Sequence, residues 1–190
     1  SLGTNKKSIS QEKFSDPDNL QALVQKAKDN FVLSRYAYSS TPLITIVTRS
    51  FNRPQLLQRN IDMVSHMTNK NFEHVILQDQ KGCGMAVAEA SLYAFRDEFR
   101  GEYICHLDDD DYLSNFHFVD QISTILSNQT ETPKVMIFKV WYSDRDCTLP
   151  EVWNEFPMEG QITTSNFLVE KDLYKQNISC VARKHAGDYT

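Results

Sequence analysis

Tyr103-Ile104-Cys105-His106-Leu107-Asp108-Asp109-Asp110-Asp111 decides how the rest of the chain reads. A short apolar run passes directly into four aspartates. Like charges on adjacent residues repel one another. A chain that keeps four of them where a strand leaves the core has a cation for them to hold. Hard divalent cations such as Mg²⁺ take oxygen ligands, and one or two carboxylates plus substrate phosphates complete the usual shell. An acidic run taken alone would favour a solvated loop, a helix N-cap or a Ca²⁺ loop. Its position argues otherwise, because ligands of open α/β sheets bind beyond the carboxyl ends of the strands.

Upstream of this junction the chain alternates between strand and helix. Leu43-Ile44-Thr45-Ile46-Val47 is short, apolar and β-branched, as a buried strand requires. Asn52-Arg53-Pro54 ends it and opens a helix to about Met67, with proline near the first helical position, where its missing N–H costs nothing. Phe72-Glu73-His74-Val75-Ile76-Leu77 forms a second strand that ends at Gln78-Asp79. The tight loop Lys81-Gly82-Cys83-Gly84 leads into an alanine-rich helix from Met85 to about Phe99, broken by Gly101 before the third strand. Strand-helix-strand-helix-strand over this span is the pattern of a parallel βαβαβ unit. Downstream lie a helix at 115–126, a strand at Val135–Val140, a loop-like stretch at 143–160, and a short strand and helix around Phe167–Tyr174. Asp111 is expected to start the helix after the aspartates.

Residues 1–17 are polar. From Asp18 to about Ser39 the apolar positions Leu20, Leu23, Val24, Ala27, Phe31 and Leu33 read as one stripe of a leading helix. The expected organisation is an N-terminal extension over 1–40, followed by one domain over 41–190 that stops short of further C-terminal elements.

Composition narrows the function classes. The 190 residues carry 41% hydrophobic and 24% charged side chains with a formal net charge of −5, which is ordinary for a globular domain. A general nucleic-acid binder would carry a basic face, so nucleic acid is not an expected partner. No apolar run approaches the ~20 residues of a membrane span, and none resembles a signal peptide. Cys83, Cys105, Cys147 and Cys180 show no metal-ligand spacing and read as free thiols of a reducing compartment. The expected location is cytoplasmic, with peripheral contact at the inner face of a membrane as an extension of that reading.

The three strand ends bring complementary chemistry to one edge. Phe51 could stack on a planar base, a contact worth roughly 1–3 kcal/mol. Asp79 could accept hydrogen bonds from a base. Arg49 or Arg53 could pair phosphate charge, and the aspartates could hold a metal on a diphosphate. Each residue alone has a plainer reading: core for Phe51, turn for Asp79, surface for Arg53. Their convergence points to a nucleoside diphosphate with a divalent metal.

These residues carry a resemblance. Val47-Thr48-Arg49-Ser50-Phe51-Asn52-Arg53-Pro54, the Asn71–Ile76 segment and Gly101–Asp111 are similar to family 2 glycosyltransferases, which are inverting, nucleotide-sugar-dependent enzymes of the GT-A fold. The match covers residues 42–125, and Gly187-Asp188-Tyr189 resembles the segment that carries the family's catalytic base. The resemblance implies a three-layer α/β/α fold with a mostly parallel central sheet. It implies nucleotide contacts at Thr48, Arg49, Phe51, Asp79, Asp108 and Asp109, metal contacts at Asp108 and Asp110, and a general base at Asp188. Mg²⁺ or Mn²⁺ would be the cofactor. The donor would be a nucleoside-diphosphate sugar, UDP-linked by preference, and the acceptor a sugar, glycan or other hydroxyl, in polysaccharide or glycan synthesis. The chain departs from the pattern at Arg49, where a small hydroxyl residue or proline is common, and at Gly187, where glutamate is usual.

Three other classes compete. A nucleotidyltransferase of similar architecture would need a glycine-rich basic signature after the first strand, and Arg49–Arg53 has no glycine. A haloacid dehalogenase-type phosphatase would read Asp108 and Asp110 as nucleophile and acid, but its motif follows the first strand and not the third. A non-catalytic nucleotide-sugar-binding module would keep the motifs without turnover. His106 reads as a strand residue beside the site and Trp141 as core. His185 and Trp153 divide evenly between surface or packing roles and contacts to ligands.

Overall fold

A computed structural model of the chain describes residues 17–142, 146–150 and 163–184. The elements run α1 (Pro17–Asn30), β1 (Phe31–Ala37), β2 (Ile44–Phe51), α2 (Pro54–Ser65), β3 (Phe72–Asp79), α3 (Met85–Ala94), β4 (Tyr103–His106), α4 (Phe118–Ser127), β5 (Val135–Ile137), β6 (Val140–Tyr142), β7 (Cys147–Leu149), β8 (Phe167–Glu170) and α5 (Lys171–Lys184). Single 3₁₀ turns occupy Arg96–Glu98 and Thr164–Asn166.

Six strands form one sheet in the order β1-β3-β2-β4-β8-β5, while β6 and β7 make a separate hairpin. The centre is parallel, with β2 between β3 and β4. β1 runs antiparallel to β3, and β8 runs antiparallel to both β4 and β5. The architecture is therefore mixed α/β, with four strands pointing one way and two the other.

Alternation along the strands divides the core into two layers. Ile44, Ile46, Tyr103 and Cys105 face Val64 of α2, Met67 just after it, and Phe118, Val119 and Ile122 of α4. Val47, Val75, Leu77 and Ile104 face Ala27 of α1, Val87 and Leu92 of α3, and Tyr174 and Ile178 of α5. Helices thus cover both faces of the sheet. Among the described residues no helix is long and apolar enough to cross a membrane. All four cysteines are free, with Cys105 buried.

One buried carboxylate ties the strand entries together. Glu73 is fully buried on β3. Its Oε1 accepts from Thr45 Oγ1 and from the Arg100 backbone N–H, both at 2.7 Å, and its Oε2 pairs with Arg35 of β1. Gly101 donates to Thr45 Oγ1 at 2.8 Å. A Cβ at Gly101 would lie 2.3 Å from the Thr45 backbone nitrogen. Only glycine lets that turn press so closely on β2.

Four expectations need correction. The leading helix does not reach Ser39: it ends at Asn30, and residues 31–37 are an edge strand of the sheet. Phe31, Leu33 and Arg35 are the more buried positions of that strand, a period of two that a longer helical stripe had absorbed. The strand expected at Val135–Val140 divides, with β5 in the sheet and β6 in the hairpin. The helix around Tyr174 is a 14-residue α5 and not a short one. Trp141 is exposed on β6 and is not in the core.

Candidate functional site

Parallel register brings three strand ends to one edge. Phe51 pairs with Asp79, Val47 pairs with His106, and Leu107 N–H donates to Val47 C=O at 3.0 Å. Residues 48–53, 79–84 and 108–111 therefore lie side by side. Asn52 turns β2 into α2 with φ 51°, a region that asparagine tolerates better than most non-glycine residues.

Each aspartate of the cluster has its own environment. Asp108 is held by the Arg49 fork, with Nε on Oδ1 at 3.0 Å and Nη2 on Oδ2 at 2.8 Å. Its side chain is 32% exposed. Asp109 turns inward at 4% exposed, accepting from Arg53 Nη1 at 3.0 Å and from Ser50 Oγ at 2.7 Å. Asp110 points out at 56% exposed, and its Oδ2 accepts from Arg53 Nη1 at 2.7 Å. Asp111 accepts from Ser165 Oγ at 3.0 Å, which fastens the aspartate loop to the turn before β8. It does not start a helix: α4 begins at Phe118. Burial raises the Asp109 carboxyl above its ordinary range against the pull of Ser50 and Arg53, and burial raises Asp111 against Ser165.

Arg49 has a second partner. Its Nη1 donates to Glu89 Oε1 at 2.6 Å from the buried face of α3. Burial opposes the Arg49 charge, but Asp108 and Glu89 outweigh it and raise the guanidinium above its ordinary value. Four carboxylates share two guanidinium groups, Asp108 and Glu89 on Arg49 and Asp109 and Asp110 on Arg53. Two negative charges are left over, which is the imbalance a divalent cation would answer.

The second wall of the edge is the 80–84 loop. Asp79 Oδ1 accepts from the backbone N–H of Lys81 at 2.8 Å and of Gly82 at 3.0 Å, and Oδ2 from that of Cys83 at 2.6 Å. Burial opposes its charge, but these N–H groups overcome it and lower the carboxyl pKa. Phe51 is 46% exposed. Its ring lies over Gly82, where a Cβ would come within 2.6 Å of Cζ and where φ is +70°.

The residues expected at the site are therefore not equivalent. Arg49, Asp108, Asp109 and Asp110 come together directly, and Phe51 and Asp79 stand on the adjoining strand end. Thr48 does not reach the open edge. It is fully buried, donates to Leu107 C=O at 2.7 Å and meets His74 Nε2 at 2.8 Å. Asn60 of α2 joins the same knot, donating to Asp108 C=O at 3.1 Å. Asp188, His185 and Trp153 lie outside the described residues. Glu89, Ser50, Asn60 and Ser165 were not anticipated. Glu89 alone left a signal, as the one charged residue of the Met85–Ala94 helix.

Among the described residues, no group of three or more His, Cys, Asp or Glu is gathered to hold a metal. A Mg²⁺ or Mn²⁺ shell of one or two carboxylates plus phosphate oxygens needs no such group. Asp110 Oδ1 carries no bond among the described residues, whereas both oxygens of Asp108 accept from Arg49. A separate cavity of about 330 Å³ lies between β4, β8 and α5, with apolar walls from Ile104, Phe167, Val169 and Leu173 beside the His106–Tyr174 pair. No family model and no curated protein matches the chain.

Proposed function

We propose that the chain is a metal-dependent inverting glycosyltransferase of the GT-A type. It would move a sugar from a nucleoside diphosphate, UDP by preference, to an acceptor hydroxyl. The observation that carries this reading is the joining at one sheet edge of an exposed ring over a tight loop (Phe51, Gly82) and an aspartate cluster with surplus negative charge. A base against Phe51 would set its diphosphate toward Asp108 and Asp110. Asp79, buried with both oxygens engaged by the 81–83 loop, serves by clamping the loop that backs the ring.

Asp110 and Asp108 would hold Mg²⁺ or Mn²⁺, which when bound neutralises charge on the leaving diphosphate. Arg53, half-exposed beside Asp110, is placed to pair with phosphate oxygens. In the transfer, the acceptor oxygen forms its bond to the anomeric carbon as the bond from that carbon to the diphosphate breaks. The acceptor proton passes to a carboxylate, which the resemblance assigns to Asp188, and the nucleoside diphosphate leaves.

The Arg49–Asp108 fork favours one alternative, a module that binds the nucleotide sugar without turnover. A thermal-shift panel of UDP, GDP, CDP and dTDP, each with and without Mn²⁺, tests the shared site, since a ligand of the folded state raises the melting temperature by mass action. Sugar release from the bound donor, lost in Asp188→Ala, separates the transferase from the binding module.

A further inference from the structure

We propose that Glu89 is a positioning residue for the aspartate cluster, taking over the Arg49 guanidinium when a divalent cation draws on Asp108. The proposal rests on the metal–diphosphate reading of that cluster.

Arg49 lies between two carboxylates that differ in one respect. Asp108 opens to solvent on the cluster side, and Glu89 is buried on α3. A guanidinium offers five N–H groups and two bidentate edges. Its Nε/Nη2 edge is spent on Asp108, and Nη1 alone reaches Glu89 Oε1. Glu89 Oε2 is buried with no hydrogen-bond partner. A buried acceptor without a donor is costly, and more so when charged.

Moving the fork by one edge removes this defect. With Nη1 and Nη2 both on Glu89, the orphan oxygen is satisfied and both oxygens of Asp108 are released. The guanidinium exchanges three carboxylate bonds, two on Asp108 and one on Glu89, for two on Glu89, and its Nε–H is freed from Asp108. Without Glu89, releasing Asp108 would strand a buried positive charge, and breaking a buried pair in that way is strongly unfavourable. A cation would then have to displace a guanidinium that has nowhere to go. Glu89 makes Asp108 available without leaving Arg49 unpaired. If Glu89 served only to fasten α3 to β2, cation binding would leave the Arg49–Asp108 fork in place.

The test is an NMR titration of ¹⁵N-labelled protein with Mg²⁺ and UDP, following the Arg49 Nε–H resonance, assigned by its loss in Arg49→Lys. The expected result is that this resonance moves in step with the backbone amides of Asp108–Asp111. In Glu89→Gln it stays, and the half-saturating Mg²⁺ concentration rises about tenfold, the scale of one charge-assisted bond lost. Aspartate amides that move while the wild-type Nε–H stays would overturn the role of Glu89 and leave the metal site standing. An unchanged midpoint in Glu89→Gln would do the same. If no resonance moves, the metal–diphosphate reading fails and the proposal with it. Where Glu89→Gln does not fold, the wild-type titration decides alone.

Discussion

Lowering the pH from 7.5 to 5 should destabilise this protein by about 4 kcal/mol through two histidines. His74 on β3 and His106 on β4 are buried. The Nε2 of His74 meets Thr48 Oγ1 and that of His106 meets Tyr174 Oη, each at 2.8 Å, while both Nδ1 atoms lack partners. A neutral ring protonated at Nε2 leaves only a bare lone pair inside. A cationic ring would bury an unpaired N–H and a charge. Burial accordingly lowers His74 from 6.5 to about 3. Burial, aided by Arg49 and opposed by Asp108, lowers His106 to about 4. Both folded values lie below the unfolded one, so the unfolded chain binds more protons. The stability is fully present above pH 6.5 and is lost as pH falls toward the folded values. At pH 5 an unfolded histidine is almost wholly protonated and these two are almost wholly neutral, which costs about 2 kcal/mol each. Asp109 and Asp111, raised by burial, act in the opposite sense at lower pH, so variants are needed to isolate the histidines. Urea unfolding at pH 5, 6 and 7.5, followed by circular dichroism, gives the profile. His74→Gln and His106→Gln should each remove about half of the loss. A wild-type stability that changes by less than about 1 kcal/mol over this range, or variants that keep the full loss, would refute the argument.

Two further outcomes follow from the same contacts. Gly101→Ala should destabilise by at least about 3 kcal/mol, because the new methyl would strike backbone atoms of Ile44 and Thr45 that cannot move aside; calorimetry checks it. Asp79→Ala should remove three acceptor contacts from the 81–83 loop and cost about 2–3 kcal/mol, reduced by water access, with a matching fall in nucleotide affinity read by calorimetric titration.

The centre of the sheet was legible because β2, β3 and β4 are buried on both faces and carry continuous apolar runs that nothing else explains. β1 was not, because it follows α1 with no glycine or proline between them and its residues fit a helical stripe as well as a strand. Only the open edge of β3 decides the matter. The aspartates stood out as a charge run, but their separate roles depend on long-range partners. Ser50 and Ser165 lie 59 and 54 positions from the aspartates they bond, Glu89 lies 40 from Arg49, and no local pattern records who meets whom. Thr48 illustrates the reverse error. It sits at a strand end in sequence, but the hydroxyl is consumed inside by Leu107 C=O.

The central claim is that the exposed carboxylates and Phe51 share one metal–nucleotide site, and the melting temperature tests it most directly. UDP with Mn²⁺ at a hundredfold over Kd should stabilise by roughly 2.7 kcal/mol, a rise of about 5–10 °C for a chain of this size. UDP without Mn²⁺ should give much less, and Asp110→Asn should abolish the Mn²⁺-dependent part. A melting temperature that no nucleoside diphosphate moves, with Mn²⁺ or without it, contradicts the account.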